Sequence, residues 1–172
     1  MSELAVTVVG RDRPGIIADV TQALAGLGLS LTDSTMTLLR GHFAMTLICA
    51  GDVEPDRVER ALAPLSGDGS LLVTVAGVQP EAAQEPLGSP YVLTVHGADR
   101  LGIVAAVTRV VAAAGGNITD LTTRLTGDLY LLVAEVDLPA GCDLDALRGQ
   151  LVEVAGKLDV YAALRPAEAD LL

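Results

Sequence analysis

Thr7-Val8-Val9-Gly10-Arg11-Asp12-Arg13-Pro14-Gly15-Ile16 returns later in the chain as Thr94-Val95-His96-Gly97-Ala98-Asp99-Arg100-Leu101-Gly102-Ile103. The correspondence continues at one constant offset: Val20-Thr21 with Val107-Thr108, Gly28 with Gly115, Thr32-Asp33 with Thr119-Asp120, and Phe43 with Tyr130. A match held in register over this length identifies two copies of one structural unit.

Within the first copy, Leu4, Val6 and Val8 alternate with Ala5, Thr7 and Val9, which is the period of a strand, and the run is expected to stop at Gly10. After Pro14-Gly15 the apolar period lengthens: Ile16, Val20, Leu24 and Leu27 recur at helical spacing. Pro14 suits a first turn, where its missing N–H is not needed, and Gly28 suits the stop. Residues 29–39 and 43–50 then read as two strands joined by a tight Arg40-Gly41-His42 turn. A second helix begins near Pro55 and places Val58, Leu62 and Leu65 on one face, and Gly67-Asp68-Gly69 releases the chain into a strand from Leu71 to Val75.

The order is βαββαβ, and the second copy repeats it with strands near 91–96, 118–125, 129–136 and 158–164 and helices near 102–114 and 143–155. That order predicts an α+β fold of two ferredoxin-like sandwiches, each an antiparallel sheet with both helices on one face. The expected domains are residues 1–79 and 90–172, joined by a polar, proline-containing linker at 80–89.

Composition narrows the function. The chain has 172 residues, of which 51% are hydrophobic and 19% charged, with a net charge of −11, so it has ample material for packed cores. The basic footprint of a phosphate-backbone binder is missing, and an anionic membrane surface would repel the chain. RNA-recognition domains share this strand order and stack bases on aromatics. Phe43 and Tyr130 occupy equivalent positions that would suit such a platform, but aromatics are only 2% of the chain and the rest of the stacking set is missing. The start lacks a basic, apolar leader pattern and no run is long enough for a membrane span, so a cytoplasmic location is expected. Cys49 and Cys142 do not form a disulfide framework and read as core thiols.

The repeated loop runs from a strand end into a helix start, where the first-turn N–H groups have no intrahelical partner and the helix dipole is positive, a setting for a carboxylate. Gly15 and Gly102 put no side chain in its way, and Asp12 and Asp99 offer acceptors for an ammonium group. A free amino acid carries both charges. The same residues also fit a plainer account in which the aspartates cap helices and the glycines permit turns. A second polar pair, Ser30 and Asn117, follows each helix-ending glycine at the entry to the second strand.

The segment Asp12-Arg13-Pro14-Gly15-Ile16, together with Gly115-Gly116-Asn117-Ile118, resembles the signature of the ACT-domain family: a strand, Asp-Arg-Pro-Gly-Ile/Val, then a helix ending in Gly-x-Asn-Ile. The second loop departs at Leu101, which restores an N–H that proline lacks, and the first copy has Ser30 in place of the asparagine. Within the family, the tandem arrangement is similar to the glycine cleavage system transcriptional repressor group. The resemblance implies a regulatory protein that binds a small amino acid between two ACT units. The implied ligand-binding residues are Asp12, Arg13, Pro14, Gly15, Ile16, Ile17 and Ser30 in copy one, and Asp99, Arg100, Leu101, Gly102, Ile103, Val104 and Asn117 in copy two. It further implies action through a protein partner such as a transcription regulator, and pairing of ACT units within the chain or across a homodimer. The apolar neighbours Ile16, Ile103 and Val104 leave little room, which puts glycine and serine first among ligands.

The remaining motifs carry little chemistry. His42 and His96 have no metal-ligand neighbours at suitable spacing. Asp52-Glu54-Asp56 and Asp143-Asp145 read as acidic helix beginnings. No GxSxG, P-loop or HExxH element is present, so no catalytic residue, no metal and no cofactor is expected. The competing function is a structural subunit of a larger complex whose glycine loops are only turns.

Overall fold

In a computed structural model describing residues 2–67, 69–79 and 88–167, alternation and helical periodicity become two βαββαβ units. The first contains β1 (Glu3–Arg11), α1 (Ile16–Gly26), β2 (Ser30–Leu39), β3 (His42–Ala50), α2 (Pro55–Leu62) and β4 (Leu71–Val78), with a 3-10 turn at Ala63–Ser66 after α2. The second contains β5 (Ser89–Ala98), α3 (Ile103–Ala113), β6 (Asn117–Thr126), β7 (Leu129–Leu138), α4 (Leu144–Lys157) and β8 (Val160–Pro166). The chain divides between Ala82 and Ala83, and residues 80–87 of the expected linker lie outside the described residues.

Each unit holds a four-stranded sheet, in the orders β2-β3-β1-β4 and β6-β7-β5-β8, with antiparallel neighbours throughout. β1 and β2 run the same way with β3 between them, which is the split βαβ arrangement. Period-two patterning decides which face is covered. Leu4, Val6 and Val8 of β1 and Phe43, Met45, Leu47 and Cys49 of β3 form one core with Ile16, Val20 and Leu24 of α1 and Val58 and Leu62 of α2. The second core repeats this with Leu93, Val95, Ile103, Val107, Val111 and Leu132. Fully burying each such side chain contributes about 1.5–3 kcal/mol before conformational entropy is subtracted. Cys49 sits in the first core, where burial raises its thiol pKa, and Cys142 is partly exposed.

Three local features differ from the sequence expectation. β1 does not stop at Gly10 but runs to Arg11, because Gly10 pairs with Phe43 on one side and Leu71 on the other. The β2–β3 connection is a two-residue turn, Arg40-Gly41, with φ of 51° and 82°, and His42 already belongs to β3. Positive φ at both central residues is the geometry that matches the strand twist of a hairpin. Pro14 is not in the first turn of α1, since the N-cap is Gly15 in the left-handed region and helical geometry starts only at Ile16. The acidic helix starts are as expected: Asp56 and Asp145 lie in the first turns of α2 and α4, and Asp143 caps α4 by accepting from the Ala146 N–H at 3.0 Å.

Candidate functional site

The two repeated loops fold alike because each hinges on a glycine at positive φ, 90° at Gly15 and 87° at Gly102. That conformation turns the chain sharply from the strand into the helix, at a cost of roughly 1–2 kcal/mol for a residue carrying a Cβ. Neither helix start has a side-chain cap, so Asp12 and Asp99 do not act as the capping residues of the plainer account. The first helical bonds are Asp19 N–H to Gly15 C=O and Ala106 N–H to Gly102 C=O, both 2.9 Å. Among the described residues, the N–H groups of Ile16, Ile17 and Ala18 find no protein acceptor, and neither do those of Ile103, Val104 and Ala105. These donors sit at the positive end of the helix dipole.

In the first unit the loop is tied down on both sides. Arg11 N–H donates to Ser70 C=O at 3.1 Å, and Asp12 N–H donates to Gly41 C=O of the hairpin turn at 3.2 Å. Arg13 folds over the helix start: its Nη1 donates to Pro14 C=O at 3.3 Å and its Nη2 meets Asp19 Oδ2 at 2.9 Å. Both partners of that pair are more than two-fifths exposed, so it orients the guanidinium more than it stabilises the fold. Beside them lies a cavity of about 430 Å³ that brings together Asp12, Arg13, Gly15 and Ile17 with Met36 of β2 and Phe43 of β3. Its polar side can meet a carboxylate and an ammonium group. Its other side is apolar.

The second loop differs in detail. Position 106 is alanine, so Arg100 has no counterpart of Asp19 and reaches Asp159 instead, at 3.4 Å. Leu101, where the first loop has proline, is 99% exposed. Ile16 and Ile103 are both 2% exposed and belong to the cores, so of each Ile-Ile or Ile-Val pair only Ile17 or Val104 is open to solvent to any extent.

Ser30 and Asn117 stand apart from the loops of their own units. Ser30 pairs with Ala50 and Asn117 with Asp137, at one end of each sheet, whereas Gly10 and Gly97 pair with Phe43 and Tyr130 near the other. Seven or so strand residues separate the two ends, about 23 Å at strand rise. Asn117 instead borders a groove of about 650 Å³ between α3 and β6, alongside Thr108, Arg109 and Ala112. Neither Met36 nor Phe43 is among the ligand residues that the sequence implies, and both line this cavity. The signal was available: Met36 is an apolar residue on the strand following the helix, two positions from Leu38. Among the described residues no group of histidine, cysteine and carboxylate side chains is arranged to hold a metal, and no helix is long and apolar enough to cross a membrane.

The sequence pattern of the ACT domain matches residues 2–79 and again residues 89–164. A UPF0237 protein of Listeria monocytogenes is 32% identical over 76 residues, covering 44% of this chain and 85% of that protein. The glycine cleavage system transcriptional repressor of Escherichia coli is 25% identical over 121 residues, covering 70% of this chain and 64% of the repressor. A solved structure of an unknown protein from Galdieria sulphuraria superimposes with a TM-score of 0.79 at 27% identity, over 97% of this chain and 99% of that one.

Proposed function

Because the chain belongs to the ACT-domain family, twice over, we propose that it is a non-catalytic regulatory protein of the cytoplasm that senses a small amino acid through its two glycine loops. The observation that carries this reading is the set of unsatisfied first-turn amides behind Gly15 and Gly102, the first set opening on a cavity that also holds Asp12 and Arg13. The carboxylate of an amino acid satisfies those amides, and its ammonium group complements Asp12 or Asp99. Ser30 and Asn117, distant from the loop of their own unit, fit a site completed by an ACT unit of a second copy of the chain, as in a homodimer. The similarity to a transcriptional repressor supports control of a protein partner such as a transcription regulator, and the charge of −11 argues against direct contact with DNA.

For regulation to follow, the amino acid must bind one arrangement of the protein more tightly than another, and the difference in affinity sets the size of the response. Glycine and serine, the ligands expected from the crowded loop sequence, are to be screened alongside every other amino acid. In a melting screen of the full chain against the amino acids, a true ligand at 100 times its dissociation constant stabilises by about 2.7 kcal/mol. Indifference to every amino acid would leave the protein as a structural subunit with two ordinary turns.

A further inference from the structure

The two loops share a backbone but not their surroundings. In the first unit the cavity that holds Asp12 and Arg13 is also lined by the apolar side chains of Ile16, Ile17, Ala18, Met36 and Phe43. Phe43 is 1% exposed and belongs to the core, whereas Ile17 and Met36 are 43% and 46% exposed and leave apolar surface uncovered. In the repeat register the residues of the second unit that correspond to Ile17, Met36 and Phe43 are Val104, Thr123 and Tyr130. The substitutions run in one direction: a smaller aliphatic residue, a hydroxyl in place of the thioether, and a phenol in place of phenyl. Among the described residues, neither the Thr123 nor the Tyr130 hydroxyl has a hydrogen-bond partner. The cationic rim differs too, since Arg13 is held at the first cavity by Asp19 while Arg100 is drawn off to Asp159.

A volume of about 430 Å³ lies within the range of small-molecule sites. It is far more than glycine fills, and glycine or serine would leave Ile17 and Met36 facing water. An aliphatic side chain extending from the charged end of the cavity would cover both, and each buried methylene contributes about 0.8 kcal/mol. On the reading of the loops as amino-acid sites, on which this step rests, we infer that the first unit selects an amino acid with an aliphatic side chain of leucine or methionine size, and that the second unit does not share this preference.

The test is isothermal titration of the full chain with L-leucine, L-methionine, glycine and L-serine, repeated on Met36→Thr and Ile17→Ala. Met36→Thr gives the first unit the residue the second already has, at an exposed position on an edge strand where threonine is well tolerated. Leucine and methionine are expected to bind the unsubstituted chain, and each variant to weaken them by about tenfold or more, the discrimination a few methylenes supply in an apolar pocket. Binding of glycine or serine with leucine and methionine inert would overturn the selectivity and leave the amino-acid reading standing. Leucine binding of equal strength in both variants would also overturn it, by removing these side chains from the site. Silence with all four would overturn the selectivity, and silence with every amino acid in the melting screen would overturn the reading beneath it.

Discussion

Gly10→Ala is expected to destabilise the first unit by about 2–3 kcal/mol, lowering its melting temperature by about 10 °C. Gly10 pairs with Leu71 at the entry to β4. A Cβ added there would stand 2.9 Å from Leu71 Cα and closer still to Ser70 O and a Leu71 methyl. The Ser70 carbonyl cannot easily withdraw, because it accepts the Arg11 N–H at 3.1 Å and so helps place the loop that follows. The conflict is with backbone, not with the far end of a flexible side chain, so relaxation must separate the two strands. Gly77→Ala on β4 is the control: nothing lies within 4 Å of its added Cβ, and its expected effect is within about half a kcal/mol. A Gly10→Ala chain that melts with the unsubstituted one in urea and heat would contradict the close approach.

Gly102→Ala acts differently. Its added methyl meets nothing within 4 Å, so the cost to the fold is the strain of an alanine at φ 87°, about 1–2 kcal/mol. The same methyl adds bulk at the turn leading into the amides of Ile103, Val104 and Ala105, and is expected to narrow the approach of a carboxylate to them. The variant is therefore expected to fold, melt slightly earlier, and lose the ligand-induced stabilisation of its unit. Gly15→Ala should do the same in the first unit, where the nearest group to its methyl is Arg13 Nη1 at 4.0 Å. With both substitutions present, the roughly 2.7 kcal/mol expected at 100 times the dissociation constant should fall close to zero. An undiminished response in the double variant would remove the loops from binding.

The units, their strand order and their cores were legible because period and repetition report burial directly. Val6, Val20 and Leu47 had to face inward for the alternation and the helical spacing to make sense, and they are 0% exposed. Boundaries were less legible where a residue has two uses. Gly10 reads as a strand stop, but a glycine also permits close approach of a neighbouring backbone, and only the partner strand reveals which applies. Pro14 fits a first helical turn equally well as a turn residue before a left-handed Gly15.

The candidate site divides along the same line. The loop amides and their glycines follow from local sequence, since the hydrogen-bonding deficit of a helix start needs no tertiary information. Met36 and Phe43 enter the cavity through the pairing of β2 with β3, a contact that a linear pattern does not carry. Ser30 and Asn117 show the reverse: the chain brings them close in sequence to the helix, and the sheet register carries them to its far end.

The most direct test of the account is amide NMR of the full chain during titration with individual amino acids. The account predicts that the amide signals of Ile16, Ile17 and Ala18, or of Ile103, Val104 and Ala105, move and saturate with one affinity for at least one amino acid, while those of Leu24 and Val111 near the opposite helix ends stay in place. Loop amides that remain still with every amino acid, in a chain whose signals show it to be folded, would contradict it.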